Sequence, residues 1–275
     1  MNFFNVSEKV VVITGGSSGI GYGLAQVFAQ AGSKVVIVNR NKKSGESAAD
    51  SIKKKGGIAI SISTNVVNKK AVKEMYKEVA NMFGRVDVVI NSAGILIRRN
   101  SLEMTEDEWD LQIDVNLKGT FNCSVEAAPY MIKQRWGRII NIASTAVMRV
   151  SLQGSPAYVA TKSGVTQMSK VLAVEYIPYN INVNVISPGF IETHMNEEFR
   201  RNNTKEYEKI KQRIPQGRAG KVVEDLGGIA IFLASDACQH MVGQVIYADG
   251  GYTVGDGRWG TKWGLPIDEM PDNKN

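Results

Sequence analysis

The stretch "KVVVITGGSSGIG" (residues 9–21) runs from an apolar segment into a glycine-rich turn, and it decides the fold. Glycines at the end of a strand permit a tight turn and let the backbone approach a phosphate group closely. A helix that follows such a turn points its N-terminal N–H groups at that phosphate. The spacing differs from the common G-x-G-x-x-G, because three residues separate Gly15 from Gly19. The stretch therefore predicts a strand, a phosphate-binding turn and a helix.

Similar apolar segments recur along the chain, separated by helical patterns. The segments are rich in Val and Ile and span residues 9–14, 34–39, 58–63, 86–91, 137–144, 181–187 and 243–249. Strands that are apolar on both faces are typical of a parallel sheet covered on both sides. Strands that alternate with helices favour right-handed crossovers and a doubly wound sheet. We therefore expect an α/β fold, with one Rossmann-type domain over residues 1–275, about seven parallel strands and helices on both faces.

Composition limits the classes of function. The chain has 275 residues, of which 43% are hydrophobic and 22% charged, as in soluble globular proteins. Its net charge of +6 comes without a dense basic run, so we expect an anionic small molecule rather than nucleic acid as the partner. Cys123 and Cys238 lack metal-ligand spacing, and we predict no metal site. No segment suits a membrane span, and we expect a cytoplasmic protein without an anchor.

The segment "SPAYVATK" (155–162) places a tyrosine one helical turn before a lysine. Ser155 followed by Pro156 resembles the start of a helix, so Tyr158 and Lys162 would share a helix face. A nearby positive charge favours phenolate and lowers a tyrosine pKa from about 10 toward neutrality. A single Y-x-x-x-K pair has little specificity, and two common surface residues would look the same. The choice between chance and a tuned acid depends on the other motifs.

Those motifs occur in the order typical of the short-chain dehydrogenase/reductase family. They are "TGGSSGIG" (14–21), "NSAG" (91–94), "DVNLKGTF" (114–121), "NIAS" (141–144), "YVATK" (158–162) and "SPGFIET" (187–193). Each motif alone is weakly specific, whereas six in order on the expected elements are specific. The chain therefore resembles this family over roughly residues 7–252.

The resemblance implies four catalytic residues, Asn116, Ser144, Tyr158 and Lys162. Hydride transfer between a nicotinamide and a carbonyl needs a proton at the oxygen, and Tyr158 would donate it, or accept it during oxidation. Lys162 would lower the pKa of Tyr158 and bind the nicotinamide ribose. Ser144 would orient the carbonyl oxygen, and Asn116 would complete a proton path through water to Lys162. Asn116 as a mere helix-kink residue remains an alternative.

The resemblance also implies contacts to a dinucleotide. The expected residues are Gly15, Ser17, Ser18, Gly19, Ile20, Gly21, Asn39, Arg40, Asn65, Val66, Asn91, Ala93, Gly94, Tyr158, Lys162, Pro188, Gly189, Ile191 and Thr193. A carboxylate after the second strand would bind the adenosine 2′-hydroxyl, but this chain has Asn39 and Arg40 there. Arg40 can pair with a 2′-phosphate, and Ser17 can add a hydroxyl, so we favour NADP(H) over NAD(H). Alternatively, Arg40 stacks on the adenine. Asn65-Val66 replaces the family's usual Asp-Val, and the Asn amide can still bind the adenine edge.

The substrate is less determined than the cofactor. Arg98, Arg99 and Arg149 lie near the expected mouth of the family's pocket, and Arg98 and Arg149 are the candidate substrate residues. The segments "GILIRRN" and "IPQGRAG" resemble sugar-acid members such as gluconate 5-dehydrogenases. We therefore expect a small anionic sugar acid or keto acid. Solvated or interfacial arginines are the alternative. A 3-oxoacyl thioester (acyl-carrier-protein) reductase and a non-catalytic NADP(H)-binding regulator are the other candidate functions.

Two segments fall outside the strand–helix alternation. Residues 190–215 are charged and follow the loop that begins "SPGFIET" (187–193), which resembles the family's nicotinamide-binding loop. We therefore predict a mobile lid over the substrate, and an exposed helical pair that does not move is the alternative. The C-terminal extension, residues 253–275, carries Trp259 and Trp263 among glycines, and we expect a neighbouring subunit to order it. Family resemblance implies a homotetramer.

Overall fold

The computed structural model describes residues 2–149 and 154–255. Within these residues, a parallel sheet has the strand order β3-β2-β1-β4-β5-β6-β9. Its strands are β1 Val10–Thr14, β2 Lys34–Asn39, β3 Ile58–Ser63, β4 Val88–Asn91, β5 Gly137–Ile142, β6 Ile181–Pro188 and β9 Val245–Ala248. Every neighbouring pair in this sheet is parallel. The predicted fold class, with seven parallel strands, is confirmed.

Helices cover both faces of the sheet. Their bounds are α1 Gly19–Gln30, α2 Lys42–Lys54, α3 Lys69–Phe83, α4 Glu106–Gln112, α5 Gly119–Gln134, α6 Pro156–Tyr176, α7 Glu197–Asn202, α8 Thr204–Gln212 and α9 Gly227–Ala234. The core on one face contains residues of α1, α2 and α9, and the core on the other contains residues of α3, α5 and α6. None of the helices in the described ranges is long and apolar enough to cross a membrane.

The Val- and Ile-rich strands contribute side chains to both hydrophobic cores. In β1, Val11 and Ile13 belong to the core under α1, α2 and α9, whereas Val10 and Val12 belong to the core under α3, α5 and α6. All four side chains are completely buried. Alternate residues of a strand point to opposite faces, so a sheet covered on both sides needs apolar residues at consecutive positions.

The strand order reverses between β1 and β4, which are neighbours in the sheet but not in the chain. In open α/β sheets, ligands bind in the crevice beyond the carboxyl ends of the strands at such a switch point. The glycine-rich turn follows β1, and the "NSAG" segment begins at the end of β4. The topology therefore brings these two motifs to the same crevice.

A second, two-stranded sheet lies outside the main one and was not expected from the sequence. Its strands are β7 (Ile191–Glu192) and β8 (Gly220–Lys221), which pair in parallel. The chain between them contains α7 and α8, so the charged segment 190–215 is largely helical. Its motion as a lid stays a prediction.

The chain after β9 turns sharply around Asp249. Its carboxylate accepts the backbone N–H groups of Gly251 and Thr253 and the Thr253 hydroxyl, at 2.7–2.9 Å. Asp249 therefore stabilises the turn that leads into the C-terminal extension. Trp259, Trp263 and the rest of residues 256–275 lie outside the described residues.

Candidate active site

The glycine-rich turn is shaped for close approach of a phosphate. Gly15 and Gly19 have φ angles of +66° and +53°, in the region that favours glycine. A Cβ at Gly21 would lie 2.4 Å from the Gly15 carbonyl oxygen, so a larger residue does not fit there. Ser18 precedes α1 without a side-chain cap, and the first N–H groups of α1 therefore remain available to an anion. Ser17 and Ile20 complete this turn.

The "NSAG" segment packs directly against that turn. A Cβ at Gly15 would lie 2.9 Å from the Ala93 Cα, and the Thr14 hydroxyl accepts N–H groups from Ser92 and Ala93 at 3.2 Å. The Asn91 side chain is buried in the sheet and donates to Asn141 at 2.8 Å and to Ser124 at 3.0 Å. Its amide therefore fastens β4 to β5, and the exposed part of the motif is Gly94.

Ser144, Tyr158 and Lys162 come together at the carboxyl end of β5. Ser144 lies two residues after that strand, and α6 carries the other two. The Ser144 and Tyr158 hydroxyls share a hydrogen bond, and the Lys162 Nζ lies 5.8 Å from the centroid of the Tyr158 ring. Lys162 is buried, and its Nζ donates to the Ile142 carbonyl at 2.7 Å. Three of the four predicted catalytic residues thus lie close together at this end of the strand.

The protonation of this pair differs from expectation. Burial raises the pKa of Tyr158, and the hydrogen bond with Ser144 offsets only part of that rise. Burial lowers the pKa of Lys162 from 10.5 to about 8. The prediction that Lys162 pulls the pKa of Tyr158 below 10 is therefore wrong for this structure, because desolvation outweighs the other influences on the phenol. Tyr158 holds its proton at neutral pH, as a proton donor must.

Asn116 lies in a π-helical segment, Ile113–Lys118, that joins α4 to α5. Its Oδ1 accepts the Ile95 N–H at 2.8 Å, and its Nδ2 donates to the Ile95 carbonyl at 2.9 Å. A Cβ at Gly94 would lie 3.2 Å from the Asn116 Oδ1 and 3.5 Å from the Lys162 Nζ. Asn116 is therefore close to Lys162, and its side chain holds the backbone that leaves the "NSAG" motif.

The end of β2 combines neutral and basic groups. Arg40 is exposed, and Asn39 Nδ2 donates to the Asn41 carbonyl at 2.6 Å and to the Ser44 hydroxyl at 2.9 Å. Ser44 in turn lies 3.4 Å from the Ser17 hydroxyl. The sequence interpretation missed Ser44, although its spacing from Asn41, which caps α2, was a usable signal. The hydroxyls of Ser17 and Ser44 therefore lie close together near the end of β2, where a 2′-phosphate is expected.

The two residues that are expected to bind the adenine, Asn65 and Val66, differ in their exposure to solvent. Asn65 is exposed, and its Oδ1 accepts the Val67 N–H at 3.2 Å. Val66 is only 6% exposed, and a Cβ at Gly119 would lie 2.6 Å from its methyl group. The Val66 carbonyl accepts from Asn122 at 2.9 Å. The Val66 side chain therefore packs against the start of α5, and Asn65 is the polar group available at this position.

The segment that is expected to bind the nicotinamide begins at Pro188, the last residue of β6. Gly189 donates its N–H to the Ala248 carbonyl at 3.0 Å, and the Ile191 side chain is buried in the core. A Cβ at Gly19 would lie 3.9 Å from the Thr193 methyl carbon. Thr193 therefore lies beside the glycine-rich turn.

The two substrate candidates have different surroundings. Arg149 Nη1 donates to the Tyr252 carbonyl at 2.9 Å and to the Gly255 carbonyl at 2.8 Å, and its guanidinium stacks on the Tyr252 ring. Arg149 thus connects the loop after Ser144 to the chain after β9. Arg98 is exposed, and no carboxylate in the described ranges pairs with it.

A family model described as Enoyl-(Acyl carrier protein) reductase matches residues 15–253, which is most of the chain. The chain belongs to the short-chain dehydrogenase/reductase family. Together with the dehydrogenases and reductases that the chain resembles, this match confirms the predicted family and identifies the protein as an oxidoreductase that acts on CH–OH groups. The non-catalytic regulator is accordingly set aside.

Members of the short-chain dehydrogenase/reductase family that resemble this chain differ in substrate and cofactor. The chain is 40% identical over 249 residues to the 3-oxoacyl-(acyl-carrier-protein) reductase FabG of Thermotoga maritima, covering 90% of this chain and 98% of that protein. It is 34% identical over 251 residues to the NAD-dependent glycerol dehydrogenase of Listeria innocua, covering 91% and 96%. A gluconate 5-dehydrogenase from Burkholderia cenocepacia, solved with NADP and tartrate, aligns with a TM-score of 0.87 and 32% identity, covering 92% of this chain and 98% of that one.

Proposed function

We propose that this short-chain dehydrogenase/reductase transfers a hydride between NADP(H) and the carbonyl or secondary alcohol of a small anionic substrate of the sugar-acid or keto-acid class. The surroundings of Arg98 carry this proposal. The segment before it is held by Asn116 at Ile95, and the Arg99 N–H after it donates to the Gly154 carbonyl at 2.8 Å. Arg98 is therefore an exposed cation on a chain that is held by Asn116 on one side and by Gly154, just before the start of α6, on the other.

A carboxylate is the substrate group that suits this position. A guanidinium binds a carboxylate through two parallel hydrogen bonds, which fix orientation as well as distance. Binding at a point remote from the reacting carbon would also orient that carbon for reaction. Arg99 is unsuited to the task, because its guanidinium already pairs with Glu108 at 2.6 Å.

The chain's own residues account for the proton chemistry. A bound nicotinamide would supply or accept the hydride. Tyr158 donates its proton to the oxygen on which charge develops, and the raised pKa keeps that proton in place until then. Ser144, hydrogen-bonded to Tyr158, orients the same oxygen. Lys162, with a pKa near 8, is charged at neutral pH and stabilises negative charge at the phenol.

The dinucleotide fits the glycine cradle, where side chains beyond glycine would collide with the backbone. Arg40, Ser17 and Ser44 support the preference for NADP(H), because they offer a cation and two hydroxyls to a 2′-phosphate.

Replacing Arg40 with Ala should weaken the binding of NADPH about tenfold or more and leave the binding of NADH largely unchanged, because a hydrogen bond to a charged group contributes roughly 1.5–3 kcal/mol. Equal losses for both cofactors would mean that Arg40 does not bind the phosphate.

A substrate panel tests the anionic substrate. Initial rates would be measured with keto sugar acids, 3-oxoacyl thioesters and plain ketones, and the best keto acid would be compared with its methyl ester. Arg98→Ala should lower kcat/KM for the acid but not for the ester, and Arg99→Ala is the matched control. Arg149→Ala would be compared in the same way. If the wild type, the Arg98 variant and the Arg149 variant each have the same kcat/KM for the acid and for the ester, the proposal of an anionic substrate is wrong.

The second candidate is a 3-oxoacyl-acyl-carrier-protein reductase, which the 40% identity to the Thermotoga maritima enzyme favours. The same panel separates the two, because this candidate requires the highest kcat/KM with the carrier-bound thioester and no dependence on a free carboxylate.

We further propose a cytoplasmic homotetramer built from one domain. Two buried free cysteines suit a reducing compartment, and the exposed apolar side chains of Phe121 on α5 and of Val171 and Val174 on α6 suit subunit contacts. Light scattering of the intact protein and of a chain ending at Tyr252 tests both the assembly and the expected role of the tail. An unchanged oligomer with unchanged activity would contradict the tail's role.

A further inference from the structure

Both helices of the segment between β7 and β8 attach to one carboxylate, that of Glu192 on β7. One Glu192 oxygen accepts the Tyr207 hydroxyl from α8, and the other lies 3.6 Å from Nη1 of Arg200 on α7. The Tyr207 ring also packs on Phe190, with ring centroids 5.8 Å apart. The lid segment is therefore fastened to the strand immediately before Thr193.

Arg200 also reaches the backbone around Thr193. Its Nη2 donates to the Thr193 carbonyl at 3.4 Å, and its Nε donates to Asn196 Oδ1 at 3.0 Å. That Asn196 oxygen accepts the Thr193 N–H at 3.1 Å, and Asn196 Nδ2 donates to the Ile191 carbonyl at 2.8 Å. Arg200 and Asn196 together thus hold both polar backbone groups of Thr193.

These contacts are partly shielded from water. The side chain of Arg200 is 23% exposed and that of Glu192 is 32% exposed. Burial, followed by the hydrogen bond with Glu192, raises the pKa of Tyr207 to about 12. The Tyr207 hydroxyl therefore stays a donor over the whole neutral range, and the cluster keeps its hydrogen bonds.

We infer that Arg200 is a positioning residue, which acts through Asn196 and Glu192 to hold Thr193 against the nicotinamide half of the cofactor and to couple the lid to that half of the site. This inference rests on the proposed binding of NADP(H) and on the resemblance of residues 187–193 to the family's nicotinamide loop, from which Thr193 is expected to contact the nicotinamide. It assigns no contact between Arg200 and the adenosine half. A cofactor fragment without nicotinamide should therefore not detect the loss of Arg200.

The test compares whole cofactors with fragments by fluorescence titration and calorimetry, without substrate. Arg200→Gln should raise the Kd of both NADPH and NADH about tenfold, because Thr193 would no longer be held in place before binding and its ordering on binding would then reduce cofactor affinity. Adenosine 2′,5′-bisphosphate and AMP should bind the variant as they bind the wild type. Tyr207→Phe should give a smaller change with the same pattern, and Arg200→Lys should recover part of the loss.

Arg201 provides the matched control. It lies beside Arg200 on α7 and pairs with Glu197 at 2.5 Å, in an exposed ion pair. Arg201→Gln should leave every Kd within about twofold, since exposed pairs contribute little. Equal weakening of cofactors and fragments by Arg200→Gln, or no weakening at all, overturns the inference. A wild type that prefers NADH would refute the proposed cofactor preference only, because the nicotinamide half is common to NADH and NADPH.

Discussion

The amino edge of the parallel sheet, where the strands begin, and its carboxyl edge, where they end, differ in how their buried charged side chains are paired. At the amino edge, the buried carboxylate of Asp87 accepts the Val10 N–H at 2.8 Å and two Arg85 nitrogens at 2.6 and 2.7 Å. At the carboxyl edge, the buried ammonium of Lys162 has only the Ile142 carbonyl, at 2.7 Å, and no carboxylate of the described chain pairs with it.

A second buried charge at the amino edge follows the same rule. Arg138 donates to the carbonyls of Gly137, Asn180 and Ser235, and its guanidinium stacks on Trp136 at 4.5 Å. Paired charges and full hydrogen bonding suit a structural edge, whereas a buried ammonium without a carboxylate partner is more typical of a functional site. The difference separates the part of the sheet that stabilises the fold from the part that reacts.

The largest effect is expected for Tyr158→Phe, which removes only a hydroxyl. Turnover should fall roughly 10²- to 10⁴-fold, because the proton donor is lost, while the melting temperature stays close to that of the wild type. Steady-state kinetics with the best panel substrate measures the change. Tyr176→Phe, on the same helix, is the control and should keep its activity. Near-normal turnover of the Tyr158 variant would contradict the catalytic assignment.

Asp87→Ala tests the amino edge. The free energy of unfolding should fall by about 3 kcal/mol, because the Val10 N–H is left buried without its acceptor and Arg85 loses its partner. Denaturant unfolding measures the loss, and activity per folded molecule should persist. Glu8→Ala, which breaks an exposed pair with Lys34, should change stability by less than about 1 kcal/mol. Similar losses for both variants would remove the contrast between buried and exposed pairs.

Lys162→Met should lower turnover, by less than Tyr158→Phe does, and yet stabilise the free enzyme. Burial lowers the pKa of Lys162 from 10.5 to about 8, so the folded state binds this proton less tightly than the unfolded chain. The ammonium therefore costs stability at every pH below about 8, and the cost fades as the pH rises to 10.5. At pH 7 the variant should gain about 1–3 kcal/mol, a gain that shrinks between these two pH values.

Unfolding curves at pH 7 and pH 10 measure this gain and its decline. A Lys162→Met variant that is less stable than the wild type at both pH values would mean that the lysine is adequately solvated by its hydrogen bond to Ile142.

The smallest effect is expected at the stacked cluster of the amino edge. Trp136→Phe removes the indole N–H bond to Asp236 at 3.1 Å and weakens the stacking with Arg138 and with Lys9. The free energy of unfolding should fall by about 1 kcal/mol. Trp109→Phe, at an exposed position of α4, should leave stability unchanged. Equal unfolding curves for both variants would show that the stacking contributes nothing.

The sequence predicted the main sheet well, because strands buried on both faces need consecutive apolar residues. It could not predict β7 and β8, since two-residue strands carry no periodic signal. The six motifs predicted Ser144, Tyr158 and Lys162 as site residues, and the structure brings these three together, but the pKa of Tyr158 depends on burial that no motif encodes. The partners of Arg149 lie more than a hundred residues away in the chain, so only the folded structure reveals them.

The π-helical segment Ile113–Lys118 has a consequence for how this chain can vary in length. A π-helical turn holds one residue more than an α-helical turn, so deleting a single residue there would let α4 and α5 merge into one regular helix. Each residue turns an α-helix by about 100°, and Asn116 would then rotate away from Ile95 and Lys162. A one-codon deletion would thus give a more regular helix and a damaged active site. We therefore expect selection for activity to exclude single-residue deletions from this π-helical segment.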